Sequence, residues 1–595
     1  MRKKDTGIRL GNNSTSRSIF FHGLVVLIFT LLGLRMFYLQ VYQEKKYKYL
    51  SEKNRVKFRR IDAPRGNIYD SRGELLVTNG AGYRLVYLNE RDIDPAVVKE
   101  IAQLTGYDED YITKRIKYGE IFPYTRENVL IEDLEPHRAL KIMEKLSDYP
   151  YLQVQTYSKR KYLFDTLASH VLGYVKKISI KEYEELKDEG YSPRDKIGKE
   201  GVEKVYDRQL QGKDGYDYIE VNALNRAQKI IRSQSPEMGK DIHLSIDMRL
   251  QRYMENLFKE ENYTGAFIAM EVKTGKIITM VSYPNYSLST FSSQISYDEW
   301  NKILHDPRRP LNNKTISGEY PPGSTFKPFT SFAFLENGLD PKMQMFDNGY
   351  YQIGKWKWRA WKRGGHGYVD MKKAIVESVN PYFYKYSDEY GYEGIVKVAK
   401  DFGFGQETGI DVSGEKKGIL PTPEWKKKTY NQGWFKGDTI NMSIGQGYVL
   451  TSPIQIAEAY AILANRGVAY KPHVVDYLER DGKKEYIKPE VLHRVNYPAS
   501  YYKVMNDALI SVVNLKDGTV KALRTPGLEI AAKSGSAQNS RYENTHAWVA
   551  GYFPAENPKI VFTVLLEGAG GGGSVVGPVA KKFIDKYLEY YGKEI

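Results

Sequence analysis

Near the start of the chain an apolar run, Ile19 to Val41 (IFFHGLVVLIFTLLGLRMFYLQV), is broken only by His22, Arg35 and Gln40. As a helix it would extend roughly 34 Å, enough to cross the hydrocarbon core of a bilayer. Arg2, Lys3, Lys4, Arg9 and Arg17 precede it. The positive-inside bias therefore predicts a cytoplasmic tail at 1–18, a transmembrane anchor at 19–41 and everything later outside the plasma membrane. Arg35 can reach the outer interface by extending its side chain. The following RMFYLQVYQEKK has no small-residue cleavage site, so the pattern reads as an anchor rather than a signal peptide.

Beyond the anchor, residues 43–60 are charged and helix-capable, and read as a membrane-proximal stalk. APRGNIYDSRGELLVTN alternates short apolar runs with glycine turns, the pattern of strands and hairpins. Residues 91–147 read as mostly helical, with Pro95 and Pro136 as start signals, and 198–221 mix a short helix, a glycine turn and a strand. Together 42–238 form one extended α+β module. Pro236 and Gly239 then punctuate the chain, and 239–595 form a second domain. Its first clear element is a hairpin, GAFIAMEVKTGKIITMVSYP, and its last are the strands THAWVAGYFP and KIVFTVLLEG with a closing helix, VGPVAKKFIDKYLEYYG. These predict an α/β fold: one antiparallel sheet built from both ends of the domain and flanked by helices. The glycine run 568–573 reads as a loop.

Length and composition narrow the classes. A chain of 595 residues needs more than one core, and 41% hydrophobic with 27% charged residues is a globular balance. The net charge of +15 is spread without a long basic run or a nucleic-acid motif, which argues against nucleic acid and fits a surface facing an anionic envelope polymer. There is no cysteine, which excludes disulfides, thiolate metal sites and cysteine nucleophiles.

YPPGSTFKPFTSFAFLENG, residues 320–338, sets Ser324 and Lys327 three apart ahead of an apolar helical run. On one helix face the lysine can reach the serine and act as its base if burial or a neighbouring cation lowers its pKa. The spacing alone is weak, and far more often marks a helix cap and a solvated lysine. Two further segments bear on the choice. ESVNPYFY supplies Ser378 and Asn380, a hydroxyl and an amide able to relay a proton and hold a carbonyl, and AAKSGSAQ supplies Lys533, Ser534, Gly535 and Ser536 in a strand-like stretch.

The trio Ser324–Lys327, Ser378–Asn380 and Lys533–Gly535 resembles the SxxK, SxN and KTG motifs of penicillin-binding proteins and serine β-lactamases. RGNIYDSRGELLVTN and GKEGVEKVYDRQLQG resemble the pedestal (dimerisation-type) domain of class B penicillin-binding proteins. YPPGSTFKP, SIGQGYVLTSPIQIA and HAWVAGYFP resemble their transpeptidase domain, and WRAWKRGGHGYVDMKKAIVESVNPYFY is most similar to the elongation-specific penicillin-binding protein 2. The resemblance implies a D,D-transpeptidase that cross-links peptidoglycan stem peptides, donor to acceptor, during elongation and maintenance of cell shape, with D-Ala-D-Ala carboxypeptidase side activity. In it Ser324 is the nucleophile, Lys327 the base, Ser378 the proton relay and Asn380 the group orienting the donor. Lys533, Ser534 and Ser536 bind the terminal carboxylate, Gly535 lets the substrate backbone approach, and the N–H groups of Ser324 and Ser536 hold the oxyanion. β-Lactams, a SEDS-type membrane glycosyltransferase and cell-elongation proteins are the implied partners.

Some positions depart from the family pattern. Ser534 stands for the usual threonine, and Leu163 where proline is frequent. Some relatives hold zinc near the segment of His366, but Ala360 replaces an expected Asp ligand and cysteine is absent, so no metal or other cofactor is expected and His366 reads as structural. No lysozyme-like glycosyltransferase segment lies between anchor and pedestal, so glycan polymerisation is not expected. The alternatives are a division- or sporulation-type homologue, and a pedestal whose main work is to bind and activate the glycosyltransferase. A β-lactamase is disfavoured by the anchor and the long pedestal.

Overall fold

The structure, a computed structural model, describes residues 13–45, 56–88, 95–120, 127–146, 149, 152–221, 227–293 and 295–592. It divides into two compact units, Met1–Ala63 with Lys213–Glu237, and Pro64–Gly212 with Met238–Ile595.

In the first unit a helix, Asn13–Phe37, runs into a π-helical turn, Tyr38–Tyr42. The segment Ser18–Tyr42 has a mean hydropathy of 2.1 and no buried residue, so it is long and apolar enough to cross a membrane. Arg2, Lys3, Lys4 and Arg9 lie outside the described residues. Three antiparallel strands, Val56–Ile61, Gly215–Val221 and Ala227–Gln234, form the unit's sheet. Asp217 ties them together, accepting from Arg59 Nη2 at 2.6 Å and from Ser233 Oγ at 2.7 Å. The helix-capable stretch 43–60 is corrected here: 56–60 is strand, and 46–55 lies outside the described residues. The period-two placement of Val56 and Phe58 and the ladder to Gly215–Val221 outweigh the weak helix preference of the lysines and arginines between them.

In the second unit the long strand Leu75–Leu88 pairs with Leu152–Tyr162 from Val77↔Tyr162 to Tyr87↔Leu152, and with Glu127–Leu134. The mostly helical reading of 91–147 misses that last strand. Helices Pro95–Thr105, Glu109–Glu120 and Pro136–Lys145 flank it, and their apolar stripes join Leu85 and Leu130 in a small core through Val97, Ile101, Ile112 and Ile142. Asp241–Leu244 pairs in parallel with Ile68–Tyr69 and antiparallel with Val475–Arg480. The boundary expected at 238/239 thus falls just ahead of a strand that shares one sheet with segments on both sides of it.

The larger body is built from α1 (Met248–Glu260), β1 (Gly265–Glu271), β2 (Ile277–Tyr283), α2 (Lys327–Glu336), α3 (Asn380–Tyr390), α4 (Pro453–Ala464), β3 (Ala531–Ala537), β4 (His546–Phe553), β5 (Ile560–Leu566) and α5 (Gly572–Tyr591). The strands form one antiparallel sheet in the order β2-β1-β5-β4-β3, so both ends of the segment do meet in a single sheet. Every residue of β4 and β5 is buried, which is why they read as unbroken apolar runs instead of alternating ones. Helices α1, α4 and α5 pack on this sheet, Phe267 of β1 meeting Phe583 of α5 at 4.6 Å between ring centroids. The glycine run is only partly loop, because α5 starts at Gly572. A Cβ on Gly572 would stand 2.3 Å from Gly535 O, and one on Gly573 1.9 Å from Thr519 O, so glycine is what lets this helix begin against β3.

One buried ionic cluster fixes the segment 64–212. Glu203, fully buried, accepts from Arg65 Nη2 at 2.7 Å and from Arg160 Nε at 2.6 Å, and Arg160 Nη1 donates to Gly66 O at 2.7 Å. Burial by itself pushes the Glu203 carboxyl up, but Arg160 and Arg65 outweigh it and hold it below 4.5. Removing the carboxylate leaves the Arg160 guanidinium buried without its counter-charge and Arg65 with Asp207 alone, 2.8 Å away. Glu203→Gln should therefore lower stability by about 3–5 kcal/mol. Urea unfolding of the variant checks this, and a loss below about 1 kcal/mol would mean that solvent or backbone replaces the pair.

Candidate active site

The prolines Pro321 and Pro322 deliver the chain into a tight 3₁₀ turn, Gly323–Phe326, that runs directly into α2. Gly323 has φ +56°, and a Cβ there would lie 2.7 Å from Ser536 O, so the turn can approach β3 only through glycine. Gly323 N donates to Gly445 O at 2.9 Å, the Trp548 indole donates to Pro321 O at 3.1 Å, and Tyr460 OH of α4 donates to Thr325 O at 3.0 Å. Three separate elements therefore clamp the turn that carries Ser324. The serine itself stays half-buried while its neighbours Gly323, Thr325 and Phe326 are buried.

Lys327, one turn on, is fully buried. Its Nζ donates to Ser378 O at 2.9 Å, Ser378 Oγ at 3.2 Å and Asn380 Oδ1 at 2.7 Å, and sits 5.0 Å from the centre of the Phe383 ring. Lys533, also fully buried, donates to Ser378 Oγ at 3.1 Å and Ser534 O at 3.0 Å. Two lysines thus converge on one serine hydroxyl. Burial, and then the charge of Lys533, drive Lys327 well below the ordinary 10.5, and burial pushes Lys533 down to about 7. Ser378 reaches this position by a left-handed backbone, φ +56°, between the helix Met371–Val376 and α3. Such a conformation costs of order 1–3 kcal/mol in a residue with a side chain.

All three sequence segments come together. The three donors of Lys327 go to Ser378 and Asn380, and among the described residues no hydrogen bond joins it to the Ser324 hydroxyl. Ser534 Oγ donates to Thr519 Oγ1 at 2.8 Å, and the exposed Ser536 accepts at its Oγ from Gly572 N at 2.9 Å. Gly535 is buried against Pro322, so β3, the edge strand, runs alongside the serine turn. Sequence reasoning missed Gly323, Gly445, Phe383 and Thr519 as parts of this site. Gly323, Gly445 and Phe383 lie in the quoted stretches YPPGSTFKP, SIGQG and ESVNPYFY, and only Thr519 comes from outside them, so it carries no local signal. At His366 the donor set is a pair: Nδ1 and Asp347 Oδ2 lie 2.6 Å apart, both side chains fully buried. Among the described residues no third carboxylate or imidazole joins them, and zinc sites use three or four protein ligands.

A serine on a clamped turn, a buried lysine with lowered proton affinity beside a second hydroxyl, and an adjacent strand edge are an arrangement that serine-based acyl transfer can use. Comparison with known proteins agrees. Residues 265–585 match the penicillin binding protein transpeptidase domain and 60–244 the penicillin-binding protein dimerisation domain. The chain is 35% identical to the peptidoglycan D,D-transpeptidase MrdA of Haemophilus influenzae, over 95% of this chain and 90% of that one. It superposes with a TM-score of 0.80 and 31% identity on a Helicobacter pylori penicillin-binding protein (PBP2) solved in complex with MreC, covering 90% of this chain and 99% of that one. A chain from a peptidoglycan synthase complex, described as coordinating polymerization and crosslinking, matches at a TM-score of 0.69 and 27% identity over 98% and 100%. The chain belongs to the penicillin-binding protein transpeptidase family.

The lysine pair makes a signed prediction about pH. If Lys327 is the base, the rate of penicillin acylation should rise with pH along a limb whose midpoint lies far below 10.5. Lys533→Gln removes a neighbouring positive charge that disfavours protonated Lys327, so the limb should move to higher pH. Stopped-flow acylation across pH reads both, and an unmoved limb in the variant would assign the titration to another group.

Proposed function

We propose that the chain works as an elongation-type peptidoglycan D,D-transpeptidase that cross-links stem peptides through an acyl-enzyme on Ser324. The observation that carries this is the convergence of Lys327 and Lys533 on Ser378 beside the serine turn. Neutral Lys327 takes the Ser324 proton as Oγ attacks the carbonyl carbon of the penultimate D-Ala. The Ser378 hydroxyl, bridging both lysines, passes a proton to the departing amine as the C–N bond breaks and D-Ala leaves. An acceptor amine from a neighbouring strand then attacks the ester, its proton leaves by the same relay, and Ser324 regains its own. Asn380 orients the donor, and Lys533, Ser534 and Ser536 receive its terminal carboxylate. The peptide lies along the open edge of β3 at Gly535, with the N–H groups of Ser324 and Ser536 directed at the developing oxyanion, which is worth about 3–4 kcal/mol per donor in sites of this kind. β-Lactams acylate the same serine.

The division we propose is a tail at 1–18, an anchor at 19–41, a pedestal at 42–238 and a catalytic domain at 239–595, with the last two outside the bacterial plasma membrane. The basic residues before an apolar span support that orientation. The solved complexes of relatives with MreC and in a peptidoglycan synthase assembly support a place among cell-elongation proteins, beside a SEDS-type glycosyltransferase that makes the glycan.

Purified protein given a stem pentapeptide and an amine acceptor should release D-Ala and form the amide, and Ser324→Ala should abolish both. Lys327→Met should slow acylation by about 10²–10⁴-fold. Undiminished D-Ala release by Ser324→Ala would remove the nucleophile from the account.

A further inference from the structure

Next to the proposed reaction centre stands a lobe whose surface the acyl-transfer chemistry does not use. Residues 348–369 carry Lys355, Lys357, Arg359, Lys362 and Arg363, and no carboxylate. All five are exposed, and among the described residues none of them is in an ion pair. Four large rings stand out of the same lobe: Phe346, Trp356, Trp361 and Tyr368 are 62%, 65%, 65% and 67% exposed. Each such side chain gives up roughly 1.5–3 kcal/mol relative to burial. Clustered exposed rings on a folded frame mark an interaction surface.

The frame is firmly held. Met345–Asp347 pairs with Gly367–Val369, which sets Phe346 and Tyr368 opposite each other with ring centroids 5.3 Å apart. Tyr350–Ile353 pairs with Trp356–Arg359, and Tyr351 OH donates to Asp388 Oδ2 of α3 at 2.9 Å. The buried His366–Asp347 pair locks the base, and His366 meets the Trp361 ring edge-on at 5.4 Å. Trp361 in turn donates its indole N–H to Glu377 O at 3.1 Å. Glu377 is the residue before Ser378, so the lobe begins at the rim of the lysine–serine cluster.

Distance selects the occupant. If a stem pentapeptide has its D-Ala end at Ser324, its fully extended length of roughly 17 Å limits how far away the sugar backbone it hangs from can be. That backbone must cross the surface within this radius, and it presents flat sugar faces together with the carboxylates of its other stem peptides. Rings interleaved with unpaired cations complement both features.

Resting on the transpeptidase reading, we propose that the lobe 345–369 is a docking platform for the glycan backbone of the peptidoglycan strand being cross-linked. Tyr368, Phe346 and Trp361 stack on sugar faces, while Lys362 and Arg363 take the carboxylates of neighbouring stems. The platform acts on the polymer and not on the isolated peptide, which is how it differs from the carboxylate subsite at Lys533.

The test compares substrates that share the scissile peptide but not the sugar. Binding of the full-length protein to fluorescent, uncross-linked glycan strands bearing pentapeptides is measured at low and high salt, beside turnover of free pentapeptide and acylation by penicillin. Tyr368→Ala with Arg363→Glu should weaken strand binding at least about tenfold and flatten its salt dependence. Penicillin acylation and free-pentapeptide turnover report in the same samples on folding and on the serine centre. Strand affinity equal to wild type in the double variant overturns the platform, as does equal binding of an uncharged chito-oligosaccharide, or loss of binding only to a protein partner. Absence of pentapeptide turnover in the wild type would count against the transpeptidase reading instead, and strand binding would still decide the platform.

Discussion

Two lysines buried against one serine hydroxyl are an arrangement that a folded protein does not reach by accident. A buried ammonium loses its hydration, and a second one nearby adds repulsion, so the pair relaxes by giving up proton affinity. Lys327 and Lys533 meet at Ser378 Oγ with both side chains fully buried, and both are displaced far below the ordinary lysine range. That displacement lowers the cost of taking a proton off a lysine, which is the property a base for a serine needs. The rest of the catalytic body can be read as what holds this unfavourable meeting in place.

Three pieces do the holding. Lys327 sits at the start of α2, a helix buried on every side from Lys327 to Leu335, so the base cannot swing out to water. Lys533 lies on β3, pinned through Lys533↔Ala550 to β4, which like β5 is wholly buried. Ser378 is presented by a strained left-handed residue between two helices. Strain at this position, and two buried lysines beside it, are where local stability has been given up for reactivity. The segment 64–212 shows a different use of burial: at Glu203 the charges are matched and hydrogen-bonded, so they fix geometry instead of shifting proton affinity.

Much of this was legible in the sequence, for physical reasons that can be named. Unbroken apolar runs such as KIVFTVLLEG announce strands covered on both faces, and the hairpin around Lys273-Thr274-Gly275 announces its own turn. The segments holding Ser324, Ser378 and Lys533 were visible because each has a fixed local form: turn into helix, helix end, edge strand. What stayed hidden depends on tertiary partners. The strand Glu127–Leu134 has the composition of a helix and becomes a strand by pairing with Leu75–Leu88. The hydrogen bonds of Lys327 to Ser378 and Asn380 follow from where α3 docks, which no spacing within SxxK encodes. Thr519 reaches the site only by packing.

The central claim is that this buried pair makes Ser324, and no other hydroxyl of the cluster, the acyl carrier. Mass mapping after reaction with penicillin addresses it directly. Trypsin does not cut between Lys327 and Pro328, so the serine turn is released with all of α2 in one peptide, residues 315–342. The account predicts a single added penicilloyl mass on that peptide, localised to Ser324 and still present after hours. An adduct on the peptide holding Ser378 or Ser536, or one lost within minutes, would contradict it.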